Sequence, residues 1–177
     1  MNRYILLTLM YYAVNGFNLL SHYIPSTITK EFYTCPSIND KLRETTINVI
    51  DDINKYNILF ISLKEETSNL SPDNGINEIC NTDTKQHYGF TNLFGTNETD
   101  IHISNALMYK TNTLYNVVYH EFLHALGLNH TEEQSGYMNY KIQNNRYGIT
   151  EDNRKLYPSL DDIKGLRYIK NNLLCST

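Results

Sequence analysis

The chain predicts an α+β fold on three observations: a strand, helix, strand run near its beginning, a long apolar helical stretch in its centre, and a capped amphipathic helix near its end. With 177 residues and 41% hydrophobic content, it can bury one sizeable core but is too short for two ordinary domains, so one domain is expected. Tyr23 to Lys30 alternates loosely with β-branched side chains and reads as the first strand. Ser37-Ile38-Asn39-Asp40 has the form of a capping box, in which the Ser37 hydroxyl and the Asp40 carboxylate satisfy orphan N–H groups of a helix start. Ile38, Leu42, Ile50 and Ile53, with Thr46 and Val49, then keep helical spacing to about Tyr56. The apolar run Ile58 to Leu63 reads as a second strand, and a strand, helix, strand succession implies a crossover with parallel pairing. Such a sheet is covered on at least one face.

Lys64 to Gln86 is polar, carries the turn residues Ser71-Pro72-Asp73-Asn74-Gly75, and reads as a long surface excursion. Tyr88 to Phe94 and Asp100 to Ser104 are the next strands, the first a candidate for a sheet edge. A second helix opens near Asn112 or Thr113 and runs until Gly127, a residue suited to a left-handed cap. After an irregular stretch to Tyr157, Ser159 and Asp162 form another capping box, and Leu160, Ile163, Leu166 and Ile169 line one face of the last helix.

A net charge of −4 and a pI near 5.8 provide no basic field for a polyanion, so nucleic acid is not an expected partner. Met1-Asn2-Arg3 leads into the apolar stretch Tyr4 to Val14, the pattern of a signal peptide at residues 1–16, which leaves 17–177 as the single domain of a secreted protein. Asn15 and Asn18 interrupt that stretch too early for a span of roughly 20 apolar residues, so no membrane association is expected after its removal. Cys35, Cys80 and Cys175 then meet an oxidising compartment, where two pair and one is left over. Three pairings are open; Cys35 with Cys175, which ties the start of the domain to its end, is the working expectation. Sequons at Asn69-Leu70-Ser71 and Asn97-Glu98-Thr99 agree with secretion, while Asn129-His130-Thr131 overlaps the chemistry described next and is not expected to be used.

That chemistry lies in His120-Glu121-Phe122-Leu123-His124-Ala125-Leu126-Gly127-Leu128-Asn129-His130. His120 and His124 are four apart, so on a helix they project from one face with one turn between them, close enough to hold a single ion. Gly127 lets the backbone leave the helix and return His130 to the same ion. Three histidines leave one coordination position of Zn²⁺ open, the mark of a catalytic site, whereas structural zinc is closed by four protein ligands. Glu121, beside the first ligand, is the candidate general base and acid for peptide hydrolysis. Chance agreement at five such positions is on the order of one in a million per starting site if residues are equally frequent.

The string His120-Glu121-x-x-His124-x-x-Gly127-x-x-His130 followed by Met138 resembles the metzincin zinc endopeptidases. The resemblance implies a twisted, mostly parallel sheet with an antiparallel edge strand, two long helices, and a small C-terminal subdomain holding the final helix. It also implies that Met138 lies beneath the three imidazoles as an apolar floor, the Met-turn, without ligating zinc. Thr131 after the third histidine and the segment Leu156 to Tyr168, with Ser159-Leu160-Asp161-Asp162-Ile163-Lys164-Gly165-Leu166 within it, are similar to the matrixins, the matrix-metalloproteinase family. A matrixin-like enzyme implies one catalytic Zn²⁺, an extended protein or peptide substrate along the edge strand within Tyr88 to Phe94, proteinase inhibitors as candidate partners, and a monomer. There are departures from that pattern. Nothing between Gly16 and Cys35 has the cysteine motif of a matrixin propeptide, and no C-terminal accessory domain is evident. Tyr140 lies two residues beyond Met138, where astacins and serralysins place a tyrosine near the zinc, which makes it a candidate transition-state donor. For the structural zinc and calcium of matrixins only His87, Asp100 and His102 are candidates, and that second site is left unassigned. The rival class is a catalytically silent secreted binding protein on the same scaffold. Intact Glu121 argues against it, because metal binding alone needs only the histidines.

Overall fold

A computed structural model describes residues 18–20, 29–65, 76–83, 87–94, 98–131, 136–139 and 155–174. The expected signal peptide, Tyr140 and Cys175 lie outside these residues. The elements in order are β1 (Asn18–Leu19), β2 (Thr29–Thr34), α1 (Asp40–Asn54), β3 (Phe60–Lys64), β4 (Asn77–Thr82), β5 (Gly89–Phe94) and β6 (Glu98–Ser104). A 3-10 turn at Asn105–Leu107 leads to α2 (Thr111–Ala125), β7 (Leu128–Asn129) and α3 (Leu160–Leu174).

Five strands form one sheet in the order β3-β2-β4-β6-β5. All neighbours are parallel except β5, which runs antiparallel to β6 at the end of the sheet, with Gly89 opposite Ile103 and Thr91 opposite Ile101. The expected α+β architecture with an antiparallel edge strand is therefore present. The crossover from β2 through α1 to β3 is parallel as predicted; β2 at Thr29–Thr34 includes Thr29 and Lys30 of the expected Tyr23 to Lys30 strand and runs beyond it, while 23–28 lie outside the described residues. Helix α1 buries Leu42, Thr45, Thr46, Val49, Ile50 and Ile53, one stripe at helical spacing. Its cap is Asn39, whose side chain accepts from the Lys41 N–H at 2.9 Å, not the Ser37 and Asp40 box expected from the sequence. The Ile38 N–H is bonded to the Cys35 carbonyl, and this turn ends the extended chain before the helix can begin.

Strand β4 corrects the reading of Lys64 to Gln86 as a surface excursion at Asn77–Thr82; residues 66–75 and 84–86 lie outside the described residues. Asn77–Thr82 pairs with β2 on one side and, over six residues, with β6 on the other. Its only buried side chain is Ile79, so no apolar alternation announces it. It is held by its neighbours: the Cys35 N–H donates to the Ile79 carbonyl at 3.1 Å, and the Asn77 amide donates to the Glu31 carbonyl at 3.0 Å. The disulfide ties β4 to the residue that follows β2. It pairs Cys35 with Cys80, Cα atoms 5.2 Å apart, and so replaces the expected Cys35 to Cys175 bridge.

Twelve of the fifteen residues of α2 are buried, so this helix is enclosed on nearly every face. Phe122 meets Phe32 of β2 edge-on with centroids 4.8 Å apart, which seats α2 on the sheet. Lys30 is buried below its last turn and donates to the Ala125 carbonyl at 2.9 Å and to the Thr99 hydroxyl at 2.6 Å. Burial pushes its ammonium down to about 7. The bond to Thr99 places the third residue of the second sequon inside the sheet. Among the described residues, no helix is long and apolar enough to cross a membrane.

Candidate metal centre

His120 and His124 share one face of α2, with ring centroids 4.6 Å apart. Gly127 adopts φ 102°, the left-handed conformation that its lack of a Cβ permits, and turns the chain out of the helix. The two residues that follow form β7, antiparallel to β1, and the Leu20 N–H donates to the Gly127 carbonyl at 3.0 Å. His130 then returns to the helix. The three Nε2 atoms are 3.1 Å (His120 to His124), 3.1 Å (His124 to His130) and 3.2 Å (His120 to His130) apart.

The other ring nitrogens of His120 and His124 explain why these two rings turn their Nε2 edges inward. His120 Nδ1 lies 2.5 Å from the Tyr137 carbonyl, and His124 Nδ1 lies 2.8 Å from the Leu128 carbonyl. A carbonyl can only accept, so Nδ1 carries the proton and Nε2 presents a lone pair. Lone pairs aimed at one point repel unless a cation stands between them. A tetrahedral ion with bonds of about 2.0–2.1 Å has ligand edges of roughly 3.3–3.4 Å, close to those observed, so the donor set fits Zn²⁺. The imidazoles are also kept neutral, the state a ligand needs. Burial, reinforced by His124, holds His120 well below the usual histidine range; burial and His130 push His124 down to about 4; burial lowers His130.

Glu121 is 2% exposed, and burial pushes its carboxyl up to about 7 against the opposing pull of a hydrogen bond from Thr91, whose hydroxyl lies 2.7 Å from Oε2. The segment 136–139 closes the site from the other side. Gly136 has φ 104°, and a Cβ there would stand 2.5 Å from Ser159 Cβ and 2.6 Å from Asp162 Oδ2. Asp162 Oδ2 accepts from the N–H groups of Ser159 (2.8 Å) and Tyr137 (3.0 Å), and the Ser159 hydroxyl accepts from the Asp162 N–H (3.1 Å). The predicted capping box is thus present, and it does a second task by holding the turn that carries Tyr137. The Tyr137 ring stacks on Tyr119 of α2 at 3.9 Å, and its hydroxyl donates to the Leu156 carbonyl at 2.6 Å. Met138 is buried, and its carbonyl accepts from the Thr131 N–H at 2.7 Å, tying the turn to the residue after His130.

Of the residues singled out from sequence, the structure gathers His120, His124 and His130 into one cluster. His87, Asp100 and His102 form no such cluster among the described residues; His102 instead stacks on Phe90, centroids 4.6 Å apart. Sequence reasoning missed the two carbonyls that orient the imidazoles, because a main-chain acceptor has no residue signature. It also missed Thr91 and Gly89 beside Glu121, although a glycine within a strand is a known sign of close approach.

Fold and cluster together define a zinc metallopeptidase domain of the metzincin type. The chain belongs to the Matrixin family, whose model matches residues 51–169. It is similar in fold to high choriolytic enzyme 1, a hatching enzyme zinc-protease from Oryzias latipes (medaka fish), at 13% identity and a TM-score of 0.51, covering 90% of this chain and 96% of that one. It is also similar to archaemetzincin from Methanopyrus kandleri, at 12% identity and a TM-score of 0.55, covering 82% of this chain and 97% of that one. No match is found among curated protein sequences.

Proposed function

We propose that this chain is a secreted zinc endopeptidase that hydrolyses peptide bonds of extracellular proteins, with His120, His124 and His130 holding one Zn²⁺ and Glu121 transferring the proton. The observation that carries this reading is the convergence of three Nε2 atoms within 3.1–3.2 Å of one another, with a buried glutamate adjoining the first of them in sequence. Zinc, when bound, polarises the scissile carbonyl and lowers the pKa of water at its open position. Glu121 accepts the proton of the attacking water and delivers it to the departing amine, a relay suited to a buried carboxylate that directly follows the first ligand. Met138 serves as the apolar floor beneath the imidazoles, and Tyr140 supplies a further donor to the transition state.

Strand β5 ends the sheet order, so its outer edge has no partner among the described residues. An extended substrate adds there by main-chain hydrogen bonds, with side-chain pockets setting preference. The apolar stretch Tyr4 to Val14 and the Cys35–Cys80 disulfide support export to an oxidising compartment. The test is cleavage of a quenched peptide library by the zinc-loaded chain, with and without chelator, beside Glu121→Gln. Loss of turnover by roughly 10²–10⁴ in the variant is expected. Cleavage that survives chelation or the substitution overturns the mechanism, and a folded, zinc-loaded chain that cuts nothing favours the silent binder.

A further inference from the structure

We propose that Thr91 is a positioning residue for Glu121 and that Gly89 makes room for it, so that the inward face of β5 decides where the carboxylate points. The inference rests on the reading of Glu121 as the proton-transfer group. Residues 89 and 91 are two apart on one strand and therefore face the same side of the sheet, the side on which α2 lies. At Thr91 the hydroxyl oxygen is 2.7 Å from Glu121 Oε2 and 3.1 Å from the main-chain carbonyl of the same residue. A hydroxyl has one proton to donate, and the carboxylate is both nearer and the stronger acceptor. At Gly89 an added Cβ would stand 2.7 Å from Val117 Cγ1, 3.0 Å from Glu121 Cγ and 3.1 Å from Glu121 Oε1. One carboxylate oxygen thus rests over a position that only glycine leaves open, while the other is held by a donor two residues further on.

The helix cannot do this by itself. It sets the direction of the Glu121 Cα–Cβ bond, but the last torsion of a glutamate is broad and nearly two-fold, so the plane of the carboxylate is settled by what touches it. Both contacts come from β5, whose register on β6 places Gly89 opposite Ile103 and Thr91 opposite Ile101. The strand that receives an extended peptide on its outer edge is consequently the strand that aims the base with its inner face.

The experiment uses the full, zinc-loaded chain and compares Thr91→Val, which keeps the shape but removes the donor, with Thr91→Ser, which keeps the donor. Thr91→Ala takes the place of Val if the latter does not fold. Four quantities are read: kcat, KM, zinc affinity by chelator competition, and the carboxyl ¹³C signal of Glu121 in a glutamate-labelled chain. Without the donor, kcat is expected to fall by roughly 10–100-fold with KM and zinc affinity changed less than about 3-fold, and the Glu121 signal is expected to move. Serine is expected to restore both kcat and the signal. Gly89→Ala is expected to lower kcat by about 10-fold while zinc is still bound. A donor-free variant with wild-type kcat and an unmoved signal overturns the proposal. So does a serine variant that falls as far as valine, which would make Thr91 a packing residue. If wild-type turnover is absent or Glu121→Gln retains it, the proton-transfer reading has failed instead, and the carboxyl signal still reports whether Thr91 holds Glu121.

Discussion

Asp162→Ala is expected to weaken both the fold and a metal site that Asp162 does not touch. Its Oδ2 accepts from two N–H groups, at 2.8 Å from Ser159 and 3.0 Å from Tyr137, and the variant leaves both buried and unpaired. Each such orphan costs about 1–3 kcal/mol. Removing a carboxylate whose own burial is unfavourable, as its raised pKa indicates, offsets part of this, so the net loss is about 2–4 kcal/mol. Against a total stability of roughly 5–15 kcal/mol that is a large fraction. The path to the metal runs through one residue: the Tyr137 N–H is held by Asp162, and the Tyr137 carbonyl accepts from His120 Nδ1. Loss of such a supporting contact lowers metal affinity by roughly 10–100-fold. Urea unfolding at saturating zinc measures the first effect and chelator competition the second. Asp162→Asn, which keeps an acceptor in place, is expected to retain most of both. An alanine variant within about 1 kcal/mol of the parent, with unchanged zinc affinity, would refute the reasoning.

Chelation alone is expected to destabilise the chain by about 3–4 kcal/mol relative to zinc held at 100–1,000 times its Kd, read as a zinc-dependent shift in thermal unfolding; a transition insensitive to zinc contradicts the cluster as a binding site. Lys30 has its folded pKa depressed to about 7 from 10.5, so between those values the unfolded chain binds the proton that the folded chain has lost. Its contribution is therefore full above pH 10.5 and is lost as pH falls through 7, which amounts to about 2 kcal/mol of added stability between pH 7 and 9. That slope is expected in the parent and absent in Lys30→Met, and equal slopes would show that Lys30 does not titrate there. Replacing Cys35 and Cys80 together by serine releases a loop with a sequence separation of 45 and is expected to cost about 2–4 kcal/mol in denaturant unfolding, with kcat per folded molecule unchanged. A fall in kcat would mean that the bridge also shapes the site.

What could be read from the sequence, and what could not, divides by the kind of interaction. The histidine spacing, Gly127 and the Ser159 to Asp162 box are local, since each is decided within about ten residues by helix geometry or a single backbone conformation. Strand β4 is not local. Asn77, Glu78, Asn81 and Thr82 have little reason to form a strand alone and do so because two neighbours offer them ladders. Asn39 displaced Ser37 as a cap because an upstream turn, set by Cys35 and Ile38, shifted the start of the helix. The cysteine pairing followed from strand order, which no spacing rule contains.

The two carbonyls behind the imidazoles have a consequence for how the site tolerates change. Because Leu128 and Tyr137 contribute through their main chain, neither side chain is chemically required at the metal. What is required is the route the backbone takes through these positions, and many sequences can encode one route. Saturation mutagenesis of this chain should therefore yield an uneven map. His120, His124 and His130 should admit no replacement, position 128 should accept any apolar residue that preserves the path, position 137 should favour residues that keep the stack on Tyr119 and the bond to the Leu156 carbonyl, and Gly127 and Gly136, where that path bends, should be nearly as intolerant as the ligands themselves.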